Sequence, residues 1–391
     1  MKKIVSKDLD FDSQLEDILS LDRGIPSDIG ETVKNIIEDV KDNGDAAVIK
    51  LTNKLDNNNL GLNDLLVTTE EIEAATKDIS TELKAAIQLS HDRVTAYHKK
   101  QMPSDLSYKD DLGIELGFFW NSIESAGVYV PGGTASYPSS VIMNAVPAKV
   151  AGVEKIIMVT PANAGAINPL VLYAAKISGV DKIFKIGGAQ AVAALAYGTK
   201  TIDTVDVIVG PGNAYVAEAK KIVYGDVGID MVAGPSEILV IADKNQDARN
   251  IASDLISQAE HDISAQSIFV TDAMTLADEV ELEVAEQLVN LPRKEIAAKS
   301  WSDNGAIIVV ENIDEAIKVS NKFAPEHLEL MVDNAKSYLK KIKNAGAVFL
   351  GAYTPEAIGD YIAGPSHVLP TSKAAKYSSG LSVFDFLKRT S

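Results

Sequence analysis

Apolar positions in the first hundred residues recur at helical spacing. In the run 29–40, Ile29, Val33, Ile36, Ile37 and Val40 share one face, and Pro26-Ser27-Asp28 ahead of them is a helix-start signal. Thr68-Thr69-Glu70-Glu71 before Ile72 has the form of a capping box. A further long helical pattern covers 83–98. His91 and His98 lie seven apart on one face of that polar helix and read as structural or surface residues. The stretch 99–107 is polar and reads as a connection. From Gly127 the texture changes: runs rich in β-branched residues alternate with Ala-rich helical patterns. Strands are expected at 155–160, 182–186 and 205–209, each followed by a helix, at 169–178, 189–197 and 214–223. The alternation resumes with strands at 237–241, 267–271 and 305–310 and helices at 248–260, 276–291 and 314–322. Strands at 327–332 and 347–350, with a helix between them, complete the pattern.

Strands that alternate with helices imply parallel sheets joined by crossover helices. The pattern therefore predicts an α/β protein with two such units and a helical N-terminal region, joined at the Gly-rich stretch 225–234. Ala-Gly-Pro-Ser occurs at both 233–236 and 363–366, which fits coincidence and an old duplication equally well.

Composition narrows the function classes. Lys and Arg total 37 against 55 for Asp and Glu, a formal charge of −18, which repels nucleic-acid backbones and anionic lipid. The longest uncharged stretches, 125–148 and 156–175, are interrupted by Pro131, Pro138, Pro147, Pro161 and Pro169, so neither reads as a membrane span. With no cysteine, thiolate nucleophiles, iron–sulfur clusters and Cys-zinc sites are excluded. The N-terminus lacks the apolar core of a signal peptide, and a cytoplasmic protein is expected.

Candidate chemistry sits in a few short segments. Val130-Pro131-Gly132-Gly133-Thr134, Ile186-Gly187-Gly188-Ala189-Gln190 and Val209-Gly210-Pro211-Gly212-Asn213 place glycines where backbone N–H groups could approach a phosphate. None is a complete dinucleotide fingerprint, and each alone could be an ordinary turn. Gln258 and His261, three apart at a helix end, could reach one ion; a helix-terminal histidine equally serves the last carbonyls. Glu326-His327 after Pro325 offers a carboxylate and an imidazole for proton transfer, or a strand-capping ion pair. Asp360 and His367 flank a Gly-Pro turn, where loop placement favours function over packing.

Together these segments resemble a known family. Gly127-Val128-Tyr129-Val130-Pro131-Gly132-Gly133, Gly187-Gly188-Ala189-Gln190-Ala191, Gly210-Pro211-Gly212-Asn213, Gly234-Pro235-Ser236-Glu237, Gln258-Ala259-Glu260-His261, Ala324-Pro325-Glu326-His327-Leu328 and Gly364-Pro365-Ser366-His367 are similar, in order, to the signature set of histidinol dehydrogenases. The resemblance implies a zinc-containing, NAD-dependent homodimer that oxidises L-histidinol to L-histidine through histidinaldehyde. It implies Gln258, His261 and Asp360 as zinc ligands and Glu326 and His327 as the catalytic pair. Ser236 and His367 would contact substrate alongside Gln258, His261, His327 and Asp360. Tyr129, Gln190 and Asn213 would contact NAD on an incomplete Rossmann-like domain.

The implied layout has an N-terminal arm at 1–25. A first α/β domain with its helical extension would take 26–127 and 237–380 and carry zinc and the catalytic pair. The NAD-contacting domain would take 128–236, with a stub at 381–391. In the family a C-terminal tail continues past Arg389-Thr390-Ser391 and lends the partner subunit a Glu and the last zinc ligand, a His. A chain that stops at Ser391 is expected to hold zinc less tightly and to fall short of full activity. The rival reading is a zinc-dependent hydrolase or lyase that uses Glu326 as base.

Overall fold

The structure, a computed structural model, describes residues 1–21, 23, 29–132 and 137–391. Two units divide the chain. The first is Met1–Gly24, Ala233–Gly359 and Leu369–Gly380; the second is Ile25–Val232, Asp360–Val368 and Leu381–Ser391.

The first unit is built on a six-stranded sheet in the order Lys2–Val5, Ala306–Val309, Gln266–Thr271, Glu237–Ala242, His327–Met331, Ala347–Leu350, parallel throughout. Strands Glu237–Ala242 and Gln266–Thr271 are buried at every residue. That is what near-continuous apolar runs require: a sheet covered by helices on both faces. Alternate residues serve opposite faces. Leu239, Ile241, Ile268 and Val270 join one core cluster, and Ile238, Val240 and Phe269 join the other.

The second unit holds a five-stranded parallel sheet in the order Lys182–Phe184, Lys155–Val159, Ser125–Tyr129, Val207–Val209, Gly228–Ile229. Numbered within its own unit, each sheet runs third–second–first–fourth–fifth, with Lys2–Val5 added at the edge of the first. This is the Rossmann order without its sixth strand, so the expected pair of incomplete Rossmann-like folds is present.

The helical N-terminal stretch groups differently from the sequence layout. Helix Ile29–Asn43 buries Ile29, Val33, Ile37 and Val40 in one cluster with Ala191, Leu195 and Val216. Shared apolar contact therefore assigns it to the unit of strand Ser125–Tyr129 rather than to that of strand Glu237–Ala242. Residues ahead of it are more than an arm: Lys2–Val5 is a sheet strand and Phe11–Leu19 a helix. The helix-start signal Pro26-Ser27-Asp28 lies outside the described residues.

Two local features explain themselves. The capping box forms as read, with Thr68 Oγ1 accepting from Glu71 N at 3.2 Å and Glu71 Oε2 from Thr68 N at 2.8 Å. Helix Pro138–Ala151 contains Pro147, which has no N–H for the carbonyl four residues back. That carbonyl, on Met143, instead accepts the Ser366 hydroxyl at 3.4 Å. The stretch expected as a connection over 99–107 ends in a strand, Leu106–Lys109, of a small antiparallel sheet with Glu115–Ser122 and Leu387–Thr390.

Candidate active site

In the second unit, Tyr129 ends strand Ser125–Tyr129, and Gly210 to Asn213 follow strand Val207–Val209. These are the carboxyl ends of the first and fourth strands, the switch point where open α/β sheets bind ligands. A cavity of about 770 Å³ opens there, lined by Tyr129, Gln190 and Asn213 among others. The Tyr129 hydroxyl accepts from Gly188 N at 3.0 Å, and burial pushes its pKa up to about 12. Asn213 caps helix Ala214–Val223, its Oδ1 accepting from Tyr215 N and Val216 N. Gln190 is only 1% exposed, yet both of its amide atoms lack a hydrogen-bond partner. A buried amide left open on a cavity wall can take hydrogen bonds from whatever fills that cavity. Of the first glycine segment, Gly133 and Thr134 lie outside the described residues.

The Gly210 turn is held from beneath. Lys220 and Asp230 form an ion pair, 2% and 1% exposed. Lys220 Nζ donates to Gly210 O at 3.0 Å, and Gly210 N donates to Asp230 Oδ2 at 2.8 Å. Gly210 takes φ +114°, and a Cβ there would collide with the Tyr129 backbone, so only glycine fits.

In the first unit the chemistry gathers at the opposite edge. Glu237 and His327 begin their strands, and Gln258 lies near the end of helix Ala248–Ala259. The C-terminus of helix Ala248–Ala259 lies beside Gln258 and favours a cation, whereas helix N-termini at the other unit's cavity favour anions. His327 Nδ1 lies 3.0 Å from Glu237 O; a carbonyl only accepts, so Nδ1 carries a proton. Glu326 Oε2 accepts from Glu237 N at 2.9 Å and lies 3.7 Å from His327 Nδ1. One residue's peptide thus orients both members of the pair. Glu237's carboxylate is itself held by Arg23 and by Ser372 N at 3.1 Å. Ser236 sits just before it, half-buried, its carbonyl accepting from Gln266 N.

Gln258 Nε2 meets His261 Nδ1 at 3.2 Å, and Gln258 Oε1 is buried without a hydrogen-bond partner. His367 Nδ1 lies 3.5 Å from Asp360 Oδ1. Glu356, at the start of helix Glu356–Tyr361, is 3.4 Å from His327 Nε2, with Asp360 one turn on. Buried Glu329 accepts from Glu356 N at 2.6 Å; burial first, and Asp254 beside it second, push its pKa well up.

The histidinol dehydrogenase family profile matches residues 23–391. The chain belongs to the histidinol dehydrogenase family. The enzyme of that name from Bradyrhizobium diazoefficiens is 55% identical over 98% of this chain and 89% of its own length. That from Agrobacterium fabrum is 55% identical over 98% of this chain and 88% of its own. The crystal structure of histidinol dehydrogenase from Elizabethkingia anophelis superposes with a TM-score of 0.95 at 38% identity, over all of this chain and 89% of that one. As a histidinol dehydrogenase family member the chain is an oxidoreductase, and the hydrolase or lyase alternative is not favoured.

The donors fit a histidinol dehydrogenase. The open Gln258 oxygen beside the His261 imidazole is an oxygen–nitrogen donor pair of the kind zinc accepts, and the open Gln190 amide suits a polar cofactor. Sequence reading missed Glu356, Glu329 and the bracing role of Glu237. Glu356 follows Thr354-Pro355, a plausible helix start, but only the fold brings it to His327.

Proposed function

We propose that this chain catalyses the NAD-dependent, zinc-containing, four-electron oxidation of L-histidinol to L-histidine through histidinaldehyde, the last step of histidine biosynthesis. Family membership supports the reaction. The observation that supports the assignment of roles is the contact of His327 Nδ1 with Glu237 O, which orients the ring.

Hydride leaves an alcohol carbon readily only as the hydroxyl proton departs, and His327 Nε2 is the base that takes that proton. The aldehyde must then be hydrated before a second hydride can leave. Glu326, fixed by the Glu237 N–H, activates that water. Gln258, His261 and Asp360 would hold zinc, which would supply a Lewis-acidic centre for the imidazole and amine of the substrate. Tyr129, Gln190 and Asn213 would hold NAD, which would supply the hydride acceptor for both oxidations. Ser236 and His367 complete the substrate contacts.

We assign the same chain a homodimeric state and a cytoplasmic location. The acidic charge of −18 supports the soluble setting, and among the described residues no helix is long and apolar enough to cross a membrane. The test is to supply histidinol and NAD and measure NADH and histidine together. Two NADH per histidine are expected. Turnover of histidinol without any nicotinamide cofactor would overturn the assignment.

A further inference from the structure

The geometry points to Asp56 as the residue that makes the second unit's cavity accept a nicotinamide dinucleotide with a free ribose diol and reject one bearing a 2′-phosphate. This rests on reading that cavity as the dinucleotide site.

Asp56 caps the C-terminus of helix Asp45–Leu55, its N–H donating to Thr52 O at 2.9 Å. The backbone fixes where the carboxylate stands. The side chain lines the cavity, and its Oδ2 is buried without a hydrogen-bond partner. Among the described residues lining the cavity, Asp56 is the one with a formal charge; no Lys or Arg lines it. The wall thus carries an acceptor in want of donors and no cation to offset a second anion.

A ribose diol offers two O–H donors to such a carboxylate, the pairing by which acidic residues recognise NAD in complete Rossmann folds. Here the acid comes from a helix that precedes the sheet, so it is not the residue a Rossmann fingerprint would locate. A 2′-phosphate would bring roughly −1.5 to −2 charges and no compensating donor beside it. Its binding would leave two anions facing each other in a half-buried pocket. The dinucleotide's pyrophosphate faces no such penalty. The N-termini of helices Gly188–Tyr197 and Ala214–Val223, each ten residues long, contribute Gly188 and Tyr215 to the lining and carry partial positive charge.

The experiment measures kcat/KM for NAD and NADP, at saturating histidinol, in the wild-type enzyme and in Asp56→Asn. Asn keeps shape, and the carboxylate's Oδ2 has no protein partner to lose, so an unchanged melting temperature confirms the fold. The expected result is strong wild-type preference for NAD, narrowed by roughly tenfold or more in the variant, chiefly through a lower KM for NADP. Competition by ADP-ribose against its 2′-phosphorylated form should shift in parallel. A variant that uses NAD but keeps the wild-type preference overturns the role of Asp56, as does a wild-type enzyme that favours NADP. An enzyme that reduces neither cofactor overturns the underlying reading of the cavity, and this inference with it.

Discussion

The peptide N–H of Glu237 donates to the Glu326 carboxylate at 2.9 Å, while the carbonyl of the same residue faces His327 Nδ1 at 3.0 Å. Glu237 is itself pinned through its carboxylate by Arg23. Both side chains of that ion pair are largely buried, 11% and 8% exposed. Removing one partner of a buried pair strands the other and costs about 3–5 kcal/mol. Arg23→Met should therefore lower stability on that scale in denaturant titrations. It should also reduce kcat more than it raises KM for histidinol, because the pair it loosens acts on the reacting atoms. A stability loss with kcat untouched would reduce Glu237 to packing.

A second buried ion pair makes a contrasting prediction. Lys220 and Asp230 grip both polar atoms of Gly210, in the turn that leads to Asn213. Lys220→Met should raise KM for NAD while leaving KM for histidinol near its original value. Steady-state kinetics with each substrate varied in turn separates the two. Equal changes in both constants would show that the turn does not act on cofactor binding.

Stability should also fall in mild acid, and His98 is one cause. Burial is the largest influence on its ring and pushes its pKa below the usual value, while Nδ1 faces Val94 O at 2.8 Å. The folded state thus favours neutral His98. Its contribution is complete above the unfolded pKa of about 6.5 and is lost as pH falls from there toward the lower folded value. Melting temperatures between about pH 8 and pH 5 should decline, and His98→Gln should flatten the decline by one proton's worth of slope. An unchanged slope in the variant would remove His98 from the account.

Gln258 gives a direct test of the metal assignment. Its Oε1 is buried and open, so Gln258→Leu removes a donor without breaking a bond that Oε1 makes within the fold. Zinc affinity, measured by chelator competition, should fall about 10–100-fold. Unaltered affinity would place the ion elsewhere.

Much of this architecture was legible because its strands are apolar on both faces. Glu237–Ala242 and Gln266–Thr271 are buried along their length, and such runs stand out against Ala-rich helices. The antiparallel sheet gave no such signal: Leu106, Tyr108 and Leu116 are 43–49% exposed, so burial never imposed an alternation on their neighbours. Helix Pro138–Ala151 went unread because Pro147 reads as a break until Ser366 is seen to satisfy the carbonyl it frees. At the site, the resemblance supplied Glu326, His327, Gln258 and Asp360. Glu356 and Asp56 were invisible because nothing local marks them; strand pairing and helix placement bring them into position.

Both ends of the described chain are stitched far from their neighbours in sequence. Lys2 to Val5 pair with Ala306 to Val309, and Leu387 to Thr390 pair with Phe119 to Ser122. A ribosome therefore releases Lys2–Val5 and Glu115–Ser122 long before their partners Ala306–Val309 and Leu387–Thr390 exist. Closing such distant pairings is slow. Refolding of this protein should consequently finish with these two seams, and a nascent chain would expose both waiting edges to chaperones until those partners emerge.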